Sequence, residues 1–281
     1  MVSFELLLAA LSMAAPIMIA ALGELLLERS GRVNLGVEGM MAFGASVSIM
    51  VTSISDSPVI GLLGGLAGGF IISSIYTVAV LALRLDQIVV GLLTVFLGIG
   101  LADLLAATGH TIAPALTPWS PAHMTIIFLT LAAPAALWIL LYKTWVGVEV
   151  RAIGTDELAA RERGLRVDII RTIAALTGGA AAGVAGAYMA LTIYNGKYFS
   201  GLTAGWGWLA IGSVILGFWN PVGVAVAAYS IGLLILLRPY TISLGVPSYI
   251  AHATPYIAVL LALIIVSRLA RSPRWKPPQT L

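Results

Sequence analysis

Apolar and polar positions alternate along this chain on the scale of whole helices rather than of single residues. Apolar runs at residues 4–27, 40–54, 59–83, 88–107, 124–142, 172–194, 206–219, 222–237 and 249–266 are separated by short polar segments. A bilayer core takes about 20 helical residues to cross. Most of these runs therefore read as spans, and 40–54 and 206–219 are short enough to be re-entrant. None has period-two alternation, which excludes a transmembrane β-barrel. The predicted fold class is all-α, a polytopic integral membrane helical bundle of about eight to ten spans, some short or discontinuous. Small residues mark where helices should approach closely: Gly61, Gly65 and Gly69 at four-residue spacing, and the run of Gly and Ala at 178–183.

One polar stretch stands apart. Residues 143–171 hold 11 of the 27 Asp, Glu, Lys and Arg residues, a density that belongs outside the hydrocarbon. Within it, Gly154, Thr155, Asp156 and Glu157 read as a turn with a helix N-cap. A short helix then follows through Leu158, Ala159, Ala160 and Arg161 and stops at Gly164. Acids in its first turn and Arg161 and Arg163 in its last suit the helix dipole. The expectation is one surface helix held between two spans, on which something outside the membrane presses.

Composition and charge then set class and orientation. Hydrophobic residues make up 60% of the chain and charged ones 10%, against about 25% charged in soluble domains. Residues 1–281 are expected to form a single transmembrane domain, with a cytosolic loop at 143–171 and a basic cytosolic tail at 268–281. Of the 15 Lys and Arg, 13 fall in that loop, in that tail, at Arg29 and Arg32, and at Arg84. The positive-inside rule makes their shared side the cytoplasm. The C-terminus is then inside, and the N-terminus, the 110–121 loop and Lys197 are outside. The net charge of +3 is this topological bias, and no nucleic-acid partner is expected. Residues 4–27 lack a basic n-region and are too long for a signal h-region, so they read as a retained span. There is no cysteine, and His110, His123 and His252 show no metal spacing; no metal site is expected.

Two broken segments, 34–44 and 203–212, are loosely alike and begin on opposite sides in this orientation. An inverted-topology repeat gives that pattern, and interrupted helices in matching halves point to a substrate route.

Four stretches carry a family likeness. The run from Glu28 to Met41 (ERSGRVNLGVEGMM) resembles the early signature of ABC importer permeases of the ribose/branched-chain amino acid class, and is most similar to its nucleoside subgroup. The others are Asp86 to Leu92 (DQIVVGL), Arg151 to Gly154 (RAIG) with Ala159, Ala160 and Gly164, and Gly205 to Ile211 (GWGWLAI) with Gly217, Trp219, Pro221 and Gly223. The resemblance implies a permease subunit, not an enzyme, with no cofactor of its own. It would pair with a second permease, identical or a paralogue, with an ABC ATPase that carries ATP and Mg, and with an extracytoplasmic solute-binding protein. The solute would be a nucleoside or, alternatively, a simple sugar or a branched-chain amino acid. The helix around Arg151, Gly154, Asp156, Glu157, Ala159, Ala160, Arg161 and Gly164 would be the segment that couples to the ATPase. The candidate pathway residues are Asn34, Glu38, Phe43, Gln87, Thr94, Trp206 and Trp208. Thr94 stands where members of the class often carry Asn, so no base or ribose contact is assigned there.

Each candidate has a plainer alternative. The coupling helix competes with an amphipathic helix lying on lipid headgroups, which normally shows a stronger apolar face. Glu38 is either a pathway residue or a cap for its own span, or a partner for Arg29 or Arg32. Trp206 and Trp208 either stack a ring or anchor at the interface. Asp103 is expected to snorkel or pair. No phosphate-binding GxxxxGK[ST] run occurs, so ATP would be hydrolysed on another chain. Two readings from other classes remain. An ion-coupled secondary transporter would have only Asp103 and Glu38 as candidate ion carriers. An intramembrane hydrolase would need Ser213 as nucleophile and His252 as base; no catalytic residue is assigned.

Overall fold

The computed structural model describes residues 2–269. Twelve helices follow one another: α1 (Val2–Arg29), α2 (Val37–Ser55), α3 (Pro58–Thr77), α4 (Gln87–Ala106), α5 (Pro121–Lys143), α6 (Trp145–Thr155), α7 (Glu157–Glu162), α8 (Val167–Tyr188), α9 (Trp206–Leu216), α10 (Pro221–Leu236), α11 (Arg238–Ser243) and α12 (Ser248–Leu269). Helices α3 and α8 each end in a π-helical turn, Val78–Ala82 and Met189–Ile193. Eight of these segments are long and apolar enough to cross a membrane, and α9 is a shorter apolar helix of 11 residues. From residue 270 on, the basic tail expected at 268–281 lies outside the described residues.

Several starts are written locally. Pro58, Pro121 and Pro221 occupy first helical turns, where a missing N–H costs nothing. The side chains of Asp86, Ser120 and Asn220 accept hydrogen bonds from the amides that open α4, α5 and α10.

The centre of the bundle is α8, packed on α1, α2 and α3. It approaches them closely because the contacts are glycine. A Cβ on Gly183 would stand 2.1 Å from the Gly65 carbonyl oxygen and 2.7 Å from Gly69 Cα, and one on Gly44 would stand 2.5 Å from Gly183 Cα. The four-residue glycine spacing expected in the third span is thus divided: Gly65 and Gly69 face α8, and Gly61 faces Thr52 of α2. Helices α5 and α12 are peripheral, with most of their residues left uncovered by the rest of the chain.

The two ends of the bundle can be told apart by their polar contacts. At one end, Arg171 at the start of α8 is 1% exposed and donates to Ser30 O just past α1. Arg32, Arg84, Glu157 and Asp168 lie there too. At the other end, Ser53 Oγ meets His110 Nδ1 at 2.9 Å, residues 112 and 197 form an antiparallel bridge, and Phe4 stacks on Trp119. The polar residues 143–171 therefore share an end with Arg29, Arg32 and Arg84.

Three expectations are corrected. The polar stretch holds two helices, not one: α6 precedes α7. Gly154 is not in a turn but inside α6, where a Cβ would stand 2.2 Å from Arg29 O. The last part of the stretch belongs to α8, which begins at Val167 and so contains Asp168 and Arg171.

Candidate functional site

After α1 the chain turns at Ser30 and Gly31 and runs back into the bundle before α2 begins. Its polar groups are met one by one. Val33 N donates to Gln87 Oε1 at 3.3 Å and Val33 O accepts from Tyr76 Oη at 2.7 Å. Asn34 N donates to Glu24 Oε1 at 2.7 Å, and Asn34 Oδ1 accepts from Gly36 N at 2.8 Å. Glu24 lies five residues before the end of α1, so Asn34 meets that helix about 7.5 Å short of its end.

The second broken segment enters from the other end. Residues 194–205 fold inward until Gly205, at φ +86°, opens α9. Its first turn lands on α2. Glu38 Oε1 accepts from Thr203 Oγ1 at 2.6 Å and from Gly205 N at 2.8 Å, and Oε2 accepts from Gly207 N at 2.7 Å. Glu38 is 4% exposed. It neither caps its own helix nor pairs with Arg29 or Arg32, the two plainer roles its position in the sequence suggests: it caps the other broken helix. Those amides are the orphan donors of an α-helix start, and a carboxylate also complements the positive end of the dipole. Helices α2 and α9 thus begin at the same point and run in opposite directions. α2 ends near His110. α9 ends near Trp219, whose Nε1 donates to Glu28 of α1.

The junction gathers five of the seven candidate pathway residues. Asn34, Glu38 and Trp206 are in it, Gln87 holds its approach, and Thr94 flanks it. A Cβ on Gly36 would stand 2.1 Å from Thr94 Oγ1 and one on Gly39 2.3 Å from Thr94 O. The Thr94 hydroxyl itself donates to Gly91 O at 2.7 Å. Phe43 is half-buried further along α2 and Trp208 is exposed. Trp206 is buried, and it lines a cavity of about 420 Å³ with Met13, Tyr194, Arg238 and His252. Arg238 Nε is buried there without a partner. The Tyr256 hydroxyl on α12 donates to Ala204 O and ties that helix to the start of α9. Glu24, Glu28, Tyr76 and Thr203 were not identified from the sequence. Acids four apart within a span, Glu24 and Glu28, were the available signal.

The coupling candidates form a clasp at the end that carries residues 143–171. Asp156 caps α7 through Ala159 N at 3.0 Å, and Gly164, at φ +80°, ends it. Glu157 is the hub: Oε2 accepts from Arg171 at 2.7 Å and Oε1 from Arg161 at 3.0 Å, with Arg32 3.9 Å away. Arg161 also grips Asp168 at 2.7 Å. Burial alone would raise the Glu157 carboxyl. The hydrogen bonds from Arg171 and Arg161 and the Arg171 and Arg32 charges outweigh it and hold the group below its ordinary value. The same carboxylates hold Arg161 above its ordinary value. Ala160 is buried against Ile153 and Val167, Ala159 is half-buried, and Leu158 on the outer face is 69% exposed. Arg151 stacks on the Tyr142 ring, 4.9 Å from its centroid.

Asp103, Ser213 and His252 are each held in hydrogen bonds within the chain. Asp103 accepts from Tyr198 at 2.9 Å and Ser200 at 2.8 Å. Ser213 donates to Leu209 O and His252 bonds Ser248 O, so the two do not form a nucleophile–base pair.

Known proteins share this chain's pattern over most of its length. It is 32% identical over 266 residues to TsgC13 of Haloferax volcanii, a candidate glucose ABC transporter permease protein, covering 85% of this chain and 79% of that one. It is 28% identical over 286 residues to the guanosine ABC transporter permease NupQ of Bacillus subtilis, covering 91% and 89%. It is 28% identical over 290 residues to the nucleoside ABC transporter permease NupC of Lactococcus lactis, covering 92% and 91%. In fold it is similar to a candidate metal-chelate type ABC transporter solved in an inward-facing conformation. The TM-score is 0.54 at 17% identity, over 91% of this chain and 84% of that one. The sequence relatives are permease proteins, transport components and not enzymes. The model of the branched-chain amino acid transport system / permease component family matches residues 6–269, and the chain belongs to that family, as a multi-pass membrane permease subunit of an ABC importer.

Proposed function

We propose that this subunit carries nucleosides into the cell. The observation behind the reading is the start of α9, where the aromatic residues Trp206 and Tyr194 and the polar residues Arg238 and His252 line one cavity of about 420 Å³. That volume suits a small ligand with a flat base and a polyol. The relatives NupQ and NupC support the same solute class. A second reading, a simple sugar, is favoured by the likeness to TsgC13.

The subunit works with a sister permease, an ABC ATPase and a solute-binding protein, and the end carrying residues 143–171 faces the cytoplasm, with the N-terminus outside. Motion of the ATPases presses on the outer face of α7, where Leu158 is exposed. The clasp passes the load through Glu157 and Arg171 to Ser30 and the end of α1. Glu38 keeps the start of α9 in register with α2, so the cavity beside Trp206 changes shape as the helices rock. Affinity comes from the binding protein, and no tight permanent site is needed here.

Reconstitution with the partner subunits in liposomes tests this. ATP-dependent uptake of labelled guanosine, competed by other nucleosides but not by glucose or leucine, is the expected result. Uptake of glucose in preference to guanosine would move the assignment to the second reading.

A further inference from the structure

Behind the clasp lies a cavity of about 470 Å³ that the transport reading does not use. Arg32, Arg84, Glu157, Arg161 and Asp168 form its polar wall, and Val80, Leu81 and Leu85 its apolar one. The two carboxylates are spent on Arg161 and Arg171. Arg32 is left with only a 3.9 Å approach to Glu157, and its Nε is buried without a partner. Arg84 makes no hydrogen bond or salt bridge among the described residues. Four guanidiniums, counting Arg171, thus face two carboxylates and leave an excess of two positive charges.

The backbone brings Arg84 to this wall at a cost. The π-helical turn at the end of α3 closes with Leu83 N on Val78 O and Leu85 N on Ala79 O, and it sets Arg84 at φ +55°. That conformation is uncommon for a residue with a Cβ. The apolar wall runs out onto Leu83, Leu85, Ile88 and Val89, all exposed at the corner between α3 and α4. The cavity is therefore cationic inside, aliphatic at one lip, and sited where membrane-crossing helices end.

We propose that this cavity binds the phosphate headgroup of an anionic membrane lipid. The phosphate lies between Arg32 and Arg84, and an acyl chain runs along Leu85, Ile88 and Val89. Guanidiniums suit phosphate oxygens, and a basic pocket between helix ends at the membrane boundary suits an anionic headgroup. An acidic side chain of a partner protein would satisfy the charges but would leave the aliphatic lip uncovered. A bound lipid would bridge the end of α3 to the clasp and stiffen the foothold of α7.

The full-length chain, purified in detergent, is exchanged into vesicles of phosphatidylcholine alone or with phosphatidylglycerol, re-extracted, and examined by native mass spectrometry. One phosphatidylglycerol is expected to remain per chain in preference to phosphatidylcholine. Arg84→Gln, which breaks no hydrogen bond in the fold, should lower that retention about fivefold. Arg163→Gln, exposed and outside the cavity, should not change it. Parallel arms add excess inorganic phosphate or glycerol phosphate. Displacement of the lipid by inorganic phosphate alone would make this a small-anion site and overturn the lipid assignment. Equal retention by the wild type and Arg84→Gln, or no preference between the lipids, would overturn it as well. So would cross-linking of Arg84 to an acidic residue of a partner protein in the assembled transporter with no lipid retained.

Discussion

The carboxylate of Glu38 and the amide of Gly207, 2.7 Å apart in space and 169 residues apart in sequence, join the starts of two helices that run in opposite directions. No local signal predicts such a pair. Each segment shows on its own only that a helix is interrupted, and the reason for the interruption lies in the other one.

Glu38→Ala should therefore destabilise the fold more than an ordinary surface change. It strands the Thr203 hydroxyl and the Gly205 and Gly207 amides, each at about 1–3 kcal/mol where water cannot replace the acceptor. Glu38→Gln keeps one acceptor and should lose less. Thermal unfolding of the purified chain ranks the two variants, and a Glu38→Ala protein that melts with the wild type would show that the cap carries no weight.

A pair of glycine substitutions checks the packing. Gly183→Ala drives a Cβ to 2.1 Å from the Gly65 carbonyl, so α3 must shift, at about 1–3 kcal/mol. Gly100, in α4, faces open space, and a Cβ there would meet nothing within 4 Å. Gly100→Ala should instead add about 0.5–1 kcal/mol from helix propensity. Opposite changes in melting temperature are expected, and changes of the same sign would argue against the packing described.

The clasp makes a functional prediction. Charge reversal at Glu157 or Arg161 breaks its ion pairs. Gly164→Pro cannot adopt the φ of +80° that ends α7. In the assembled transporter each should leave ATP hydrolysis running while solute uptake falls at least tenfold, with the protein still in the membrane. Uptake at the wild-type rate in all three would remove α7 from the coupling path.

Acid should open the same clasp. Because the fold holds Glu157 below its ordinary value of 4.5, its contribution is fully present above about pH 4.5 and is lost as the pH falls through the lower folded value. The melting temperature of the wild type should exceed that of Glu157→Gln near neutrality, and the gap should close only in acid below that range. A gap that stays constant with pH would show that the charge is not what matters.

Much of the fold was legible because its signals are local. Pro58, Pro121 and Pro221 open helices, Gly164 closes one, and the apolar runs gave span positions within a few residues of α3, α4, α5 and α10. Helix α6 was hidden because Trp145–Thr155 mixes charge with apolar residues and sits in a stretch that reads as loop. Arg171 looked like the edge of a solvated segment, yet its partners Glu157 and Ser30 bury it. At the candidate site, Asn34, Glu38 and Trp206 could be named from the interruptions themselves. Glu28 with Trp219, and Glu24 with Asn34, depend on how the chain doubles back into the bundle, and no spacing rule encodes that.

Helix α9 is covalently continuous with α10 through only a short turn, yet Glu38 moors one of its ends to α2 and Glu28 moors the other to α1. Ser30, which takes the Arg171 guanidinium, lies two residues beyond Glu28. This stub is thus fastened at both ends to the first two helices, and its seat in the bundle depends on theirs more than on its own link to the chain that follows.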